Sequence, residues 1–210
     1  MALIYKATVT PSKLELLAAW LPAQAWYQAA HGDLARVASY RFDDPDGEVG
    51  VETLLIRAGD GPIFQIPLTY RAAPLVDADE WLIGTTEHTV LGERWVYDAT
   101  ADPVYAATLA RAIIADAGQA DQAIESDGEL KLLPPSMTIT STGAADAEVP
   151  AVTVVRRVAQ GDPTTIQTDV VELGVFRRLG DRPEAERTVL HGTWADQQQP
   201  VPLAYAAPLR

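Results

Sequence analysis

The alternation of apolar and polar residues predicts a series of strands in the first half of the chain. Phe64, Ile66 and Leu68 alternate with other residues and fall on one side of a strand, and we expect that side to be buried. Strands are predicted at Leu34–Phe42, Glu48–Arg57, Ile63–Arg71 and Leu82–Leu91, followed by an aromatic segment at Arg94–Tyr97. Four such strands connected in order form an antiparallel meander, and we expect it to curve around a preceding helix.

Helix signals lie on both sides of these strands. Ser12 and Glu15 have the spacing of a capping box at the start of an N-terminal helix, which Pro22 ends. Asp102, followed by a proline, is typical of the cap of a second helix, which we expect to end near Gly118. Helix, strands and helix together predict an α+β unit over residues 1–118.

The rest of the chain predicts a second, smaller module. Residues 119–150 form an acidic connection, in which residues 118–135 extend the helix and residues 136–150 hold a short strand. Segments rich in β-branched residues at 151–159, 164–171 and 173–179 predict a small antiparallel sheet within a module at 151–210. Arg182–Leu190 is predicted to be a short helix, and Pro200–Arg210 an extended tail.

The composition excludes several classes of protein. The chain has no cysteine, so disulfides, thiol catalysis and cysteine-ligated zinc are excluded. Its net charge of −13 lies wholly in residues 1–150, which argues against a nucleic-acid partner. A hydrophobic fraction of 48% with no long apolar run argues against a membrane span. The N-terminal sequence lacks the pattern of a signal peptide, so we expect a cytoplasmic protein.

Three separated motifs resemble one family. WLPAQAWY (residues 20–27), QIPLTYRAAPL (65–75) and IGTTEHTVLGERWVYDATADPVY (83–105) resemble the N-terminal cap domain of actinobacterial maltokinases, with similarity from residue 5 to about residue 115. The resemblance implies a cystatin-like fold, in which an antiparallel sheet curves around a helix. It also implies a link to α-glucan or trehalose metabolism.

The second module resembles the sheet of the kinase N-lobe. A turn at Gly161–Thr165 is followed by a strand and a Phe-Arg-Arg-Leu run at residues 176–179. The resemblance places Gly174 where these kinases have the lysine that holds the nucleotide phosphates, and glycine supplies no ammonium group. No segment of the 210 residues resembles the catalytic lobe. We therefore predict that the chain is not an enzyme and has no catalytic residue, cofactor or metal.

Other chemical motifs are weak. His31-Gly32-Asp33-Leu34 spells the start of the superfamily's catalytic loop, but Ala38 stands where that loop has a metal-binding asparagine, so we predict a turn. His88 and His191 lack a second ligand at metal-binding spacing. Three carboxylates form a loose set, in which the helix cap is the simpler role for the last: Glu93, Asp98 and Asp102.

Seven residues are candidates for an interaction site. Four are basic: Arg156, Arg157, Arg177 and Arg178. If their strands pair, one arginine of each pair can share a sheet face and bind a phosphate, a glucan or an acidic partner. The alternative is a solvated face that pairs with nearby acidic residues. The other three are aromatic residues, which either stack on a sugar or fix the helix to the sheet: Trp20, Trp26 and Tyr27.

Three functions follow from these observations. The first is a non-catalytic interaction or regulatory module with a protein partner. The second is a half-subunit of a split sugar kinase, against which Gly174 weighs, and the third is a protein that binds a carbohydrate or another small ligand. Exposed strand edges also favour a homodimer.

Overall fold

A computed structural model of the protein describes residues 2–4, 7–27, 32–126, 129–180 and 187–209, and its mixture of helices with mostly antiparallel sheets confirms the α+β class. The elements of the first half are β1 (Ala2–Ile4), β2 (Val9–Thr10), α1 (Lys13–Trp20), β3 (Leu34–Phe42), β4 (Gly50–Ala58), β5 (Phe64–Arg71), β6 (Leu82–His88), β7 (Gly92–Asp98) and α2 (Pro103–Ile114). The elements of the second half are β8 (Gln122–Ser126), β9 (Glu129–Leu132), β10 (Met137–Ser141), β11 (Val155–Ala159), β12 (Thr164–Thr168), β13 (Glu172–Val175), β14 (Thr188–Trp194) and β15 (Gln197–Ala207).

The first six-stranded sheet, called the cap sheet below, has the strand order β2-β6-β7-β5-β4-β3 and is antiparallel. Helix α1 packs on one face, where Leu17 and Leu21 join Phe64, Ile66 and Leu68 in one apolar cluster. This confirms the predicted buried row on β5. The capping box is also confirmed, since the Ser12 amide donates to the Glu15 carboxylate (2.7 Å) and the Glu15 amide to the Ser12 hydroxyl (3.3 Å).

The predicted four-stranded meander is wrong in its strand order. The aromatic segment at Arg94–Tyr97 belongs to β7, and β7 lies between β5 and β6. Residues 72–81 connect β5 to β6 and are long enough to carry the chain past one strand position. The tight turn after His88 then brings β7 back beside β5.

The opposite face of the cap sheet is buried as well. Val51 and Leu55 of β4 share one cluster with Leu109 of α2 and with Ile166 and Leu173 of the second half. Both faces of the central strands are therefore covered, which explains the nearly continuous burial of β4 and β5. Residues from both predicted modules contribute to this cluster.

The second sheet has the order β10-β14-β15-β13-β12-β11 and is antiparallel throughout, as predicted. The strand expected within residues 136–150 is β10, and the extended tail is the end of β15. The prediction of a helix at Arg182–Leu190 is wrong for its last three residues, because strand β14 begins at Thr188. Pairing with β10 on one side and β15 on the other outweighs the local helical pattern. Residues 181–186 lie outside the described residues.

The predicted helical extension over residues 118–135 is also wrong. Helix α2 ends at Ile114, and β8 and β9 follow it in a small sheet of order β1-β8-β9, in which β1 and β8 are parallel. The Gln119 side chain donates to the Met137 carbonyl (2.9 Å) and accepts from the Ile139 amide (3.1 Å). These bonds hold the connection in an extended form against β10.

Candidate functional site

The cap sheet and the second sheet meet along the segment that follows β13. The predicted strand at 173–179 stops at Val175, and residues 176–179 run beside the start of β5 instead. The Gln65 amide donates to the Arg177 carbonyl (2.7 Å), and the Leu179 amide donates to the Ile63 carbonyl (2.9 Å). We call this contact between Ile63–Gln65 and Phe176–Leu179 the seam.

Arg177 lies at the centre of the seam and is fully buried. Its Nη2 donates to Asp98 (2.6 Å) and to the Thr100 hydroxyl (3.3 Å), and its Nε donates to the Thr164 hydroxyl (2.8 Å). Asp98 is only 1% exposed and also accepts from Thr100. The ion pair therefore joins the end of β7 to the second sheet in a region without solvent.

The predicted aromatic residues gather at the same place. The guanidinium of Arg177 lies 4.7 Å from the centroid of the Trp26 ring. Trp20 lies 5.9 Å from Trp26, and Tyr27 lies 4.8 Å from Phe64, between ring centroids. Trp26 is 8% exposed, so its ring packs the end of α1 onto the cap sheet and the seam.

The four arginines do not form one surface. Arg177 is buried, whereas Arg156 and Arg157 are exposed on β11, the outermost strand of the second sheet. Arg178 belongs to the seam, where its backbone forms an isolated bridge with Phe64, but its side chain is exposed. The structure thus brings Arg177 together with the three aromatic candidates and leaves Arg156 and Arg157 as a separate exposed pair.

Gly174 lies under an aromatic ring. It pairs with Tyr205 of β15, and a Cβ atom at this position would lie 2.1 Å from Cε1 of that ring. Tyr205 is 4% exposed and is covered by Phe176, at 5.8 Å between ring centroids, and by the guanidinium of Arg187, at 4.1 Å from the ring centroid. The position that the kinase resemblance assigns to the phosphate-binding lysine therefore has no room for a side chain.

The turn between β11 and β12 is bonded to the seam. The Asp162 carboxylate accepts from the Arg177 amide (2.9 Å), and the Thr164 hydroxyl donates to the Gly161 carbonyl (3.0 Å). A backbone amide of the seam thus has a side chain of the turn as its hydrogen-bond acceptor. In the resemblance, the equivalent turn leads to the strand that ends in the phosphate-binding lysine.

A buried carboxylate fixes α1 to the cap sheet. Glu52 is 3% exposed and contacts Lys13 (2.5 Å), the Tyr70 hydroxyl (2.9 Å) and Arg41 (3.9 Å). Burial alone would raise the pKa of Glu52, but the charges of Lys13 and Arg41 and the hydrogen bonds from Lys13 and Tyr70 hold that pKa at about 2. This site is a structural ion cluster.

The other titratable candidates are dispersed. Asp102 caps α2 by accepting from the Val104 amide (3.0 Å) and pairs with Arg71 (2.7 Å), so it does not join Asp98. His88 accepts from two amides of the β6–β7 turn. His31 lies outside the described residues. Within the described ranges, no group of three or more histidine or acidic side chains can hold a metal ion. The described helices are all too short or too polar to cross a membrane.

The fold and the seam define an α+β protein in which the cap sheet is joined to a second antiparallel sheet. Residues 20–102 match the family model of the maltokinase N-terminal cap domain, which confirms the resemblance that the motifs predict. The match begins at the last residue of α1, spans the cap sheet from β3 to β7, and ends at Asp102, the residue that caps α2.

Two solved structures are similar to the whole chain. A glucosamine kinase in complex with glucosamine, ADP and inorganic phosphate is 17% identical, with a TM-score of 0.50, and the match covers 96% of this chain and 41% of that one. A second glucosamine kinase structure, crystal form A, is 17% identical with a TM-score of 0.47, covering 96% and 42%. The first likeness shows a shared fold, and this chain spans about 41% of the length of that kinase. No curated protein matches the chain significantly.

Two residues of this region, Asp98 and Tyr205, are not assigned to it by the sequence patterns, and the reasons differ. Nothing in the sequence indicates that Asp98 pairs with Arg177, because 79 positions separate them. The close approach of Tyr205 is indicated in the sequence by Gly174, because a glycine inside a β-branched strand often marks the close approach of another group. The resemblance predicts a missing lysine at Gly174, and the Tyr205 ring above it explains the glycine.

Proposed function

We propose that this chain is a kinase-N-lobe-like module that transfers no phosphoryl group and acts by binding another protein. The family match to a maltokinase cap supports a role close to α-glucan or trehalose metabolism. Because a shared fold does not fix function, the proposal depends on the chemistry of the site.

The observation that carries the proposal is the ring of Tyr205 over Gly174. Phosphoryl transfer requires a cation that holds the nucleotide phosphates close to the metal. At Gly174 a lysine side chain would have to displace a buried tyrosine and the Arg187 guanidinium that stacks on it. At the position where the resemblance places a charged lysine, this strand packs against an aromatic ring instead.

The bonding of the neighbouring groups supports the same conclusion. Arg177 uses its side chain in a buried ion pair with Asp98, and the turn at Gly161–Thr164 is held by bonds to the seam. Groups that would need to face a nucleotide are thus engaged inside the protein.

Arg156 and Arg157 are the residues we assign to partner binding. Both are exposed on an outermost strand, and they belong to the neutral part of a chain whose residues 1–150 carry the entire net charge of −13. Two adjacent arginines at a sheet edge suit an acidic protein surface, because guanidinium groups bind carboxylates with two hydrogen bonds.

The experiment combines an activity assay with capture of the partner. With magnesium-ATP and maltose, we expect no ADP above the background of a protein-free sample. For capture, the variant Arg156→Glu/Arg157→Glu should lose the proteins that the wild type retains. The matched control is Arg36→Glu/Arg57→Glu, which changes two exposed arginines of the cap sheet by the same charge. Equal loss in both variants would contradict the assignment of the β11 arginines.

A half-subunit of a split sugar kinase is the second candidate. It is favoured by the fold match that covers 96% of this chain and 41% of a glucosamine kinase. Addition of a separately produced catalytic lobe would then give ADP release that depends on both chains. The absence of ADP release from that mixture would contradict the split-kinase candidate and favour the non-catalytic module.

A further inference from the structure

The small sheet ends in a strand whose side chains are exposed and whose second edge is unpaired. All four residues of β9 are exposed, and the sheet order β1-β8-β9 makes β9 a terminal strand in the described part of the chain. Its two leucines are exposed, Leu130 by 56% and Leu132 by 68%. An apolar edge strand of this kind invites pairing with another strand.

The free edge of β9 presents a defined set of backbone groups. The Leu133 amide donates to the Gln122 carbonyl on β8 (2.8 Å), and β8 and β9 pair in antiparallel register with Ile124 opposite Lys131. In an antiparallel ladder, alternate residues bond to opposite sides of a strand. Residues 129, 131 and 133 therefore bond towards β8, and the amides and carbonyls of Leu130 and Leu132 point to the open edge.

The charges on β9 are complementary to themselves. In an antiparallel pair of two β9 strands with Leu130 opposite Leu130, Glu129 of each copy lies opposite Lys131 of the other. These charges occupy the non-hydrogen-bonded positions, where cross-strand side chains are closest. A lysine on an edge strand usually blocks pairing. In this register, the charge of Lys131 in each copy is neutralised by Glu129 of the other copy.

We propose that two copies of this chain associate through β9 and form a continuous six-stranded sheet across a two-fold axis at Leu130. The axis places Leu130 opposite Leu130 and forms both Glu129–Lys131 pairs at the same time. The three residues 129–131 that face one another in this register bury less than the roughly 1,200 Å² of a stable interface, so the dimer is weak and forms at high protein concentration. This inference concerns a surface apart from the seam and does not depend on the proposed function.

The test is sedimentation equilibrium of the full chain from about 10 µM to about 1 mM, a range that spans weak interfaces of this size. The wild type should show a monomer–dimer equilibrium. Glu129→Lys and Lys131→Glu should each weaken it by about tenfold, because each places like charges opposite one another at two symmetric positions. An equimolar mixture of the two variants should dimerise again, because every facing pair is then of opposite charge.

Two further variants make the result specific. Leu130→Pro removes an outward-pointing amide without removing a bond to β8, so dimerisation should be lost while the circular dichroism spectrum is kept. Glu93→Lys makes the same charge change on an exposed residue of the cap sheet and should have no effect. A wild type that stays monomeric over the whole range overturns the proposal, as does a dimer that tolerates both Glu129→Lys and Leu130→Pro.

Discussion

Replacement of Arg177 by methionine is expected to destabilise the protein by about 3–5 kcal/mol, because it leaves the buried Asp98 carboxylate without its cation. Methionine keeps most of the apolar volume of the arginine side chain, so the loss isolates charge and hydrogen bonding. The variant removes the bonds to Asp98, Thr100 and Thr164 and the contact with the Trp26 ring. Such a loss is a large fraction of the roughly 5–15 kcal/mol that stabilises a typical protein.

The neighbouring residue provides the control. Arg178 is next in sequence and exposed, so Arg178→Met should change the free energy of unfolding by no more than about 1 kcal/mol, the upper range for an interaction at the surface. The assay is urea unfolding followed by circular dichroism and by tryptophan fluorescence, in which Trp26 is one of five emitting residues.

A double-mutant cycle tests the pairing itself. When Asp98→Asn is combined with Arg177→Met, the loss should be well below the sum of the two single losses, because the second change removes the charge that the first one strands. Our reasoning is refuted if Arg177→Met costs less than about 1 kcal/mol, the scale of an exposed ion pair, or if the two single losses simply add.

The remaining predictions concern the other buried contacts. Glu52 has a lowered pKa of about 2, so its contribution of about 3 kcal/mol is complete above its unfolded pKa of 4.5 and is lost as the pH falls to about 2; the difference in urea midpoint between wild type and Glu52→Gln should shrink over that range. Gly174→Ala should lower the thermal midpoint by overpacking worth about 1–3 kcal/mol, and its loss combined with that of Tyr205→Ala should be less than additive. Ser12→Ala should remove about 1 kcal/mol of stability, measured by urea unfolding, because the Glu15 amide loses its cap.

Local signals in the sequence were sufficient for much of the fold. The capping box at Ser12 and the alternation along β5 depend on neighbours in sequence, and the structure confirms both. The strand order and the small sheet could not be predicted in this way. The position of β7 and the pairing of β1 with β8 depend on contacts between distant segments, which periodicity does not encode.

At the candidate site, too, the contacts between distant segments could not be predicted from local sequence patterns. An arginine is usually exposed, so the run at 176–179 suggested a charged surface. Only the arrival of Asp98 and Thr164 from other strands makes the burial of Arg177 possible. Burial of Glu52 on β4 likewise requires Lys13 of α1 and Arg41 of β3, which are brought together only by the tertiary fold.

Calorimetric titration of the purified chain with magnesium-ATP tests the central claim most directly. We expect no heat beyond dilution up to about 1 mM nucleotide, which corresponds to a binding free energy weaker than about −4 kcal/mol. That result agrees with a strand in which Tyr205 covers Gly174 in place of a phosphate-binding lysine. Saturable heat with one site per chain, displaced by ADP, would contradict a module that holds no nucleotide.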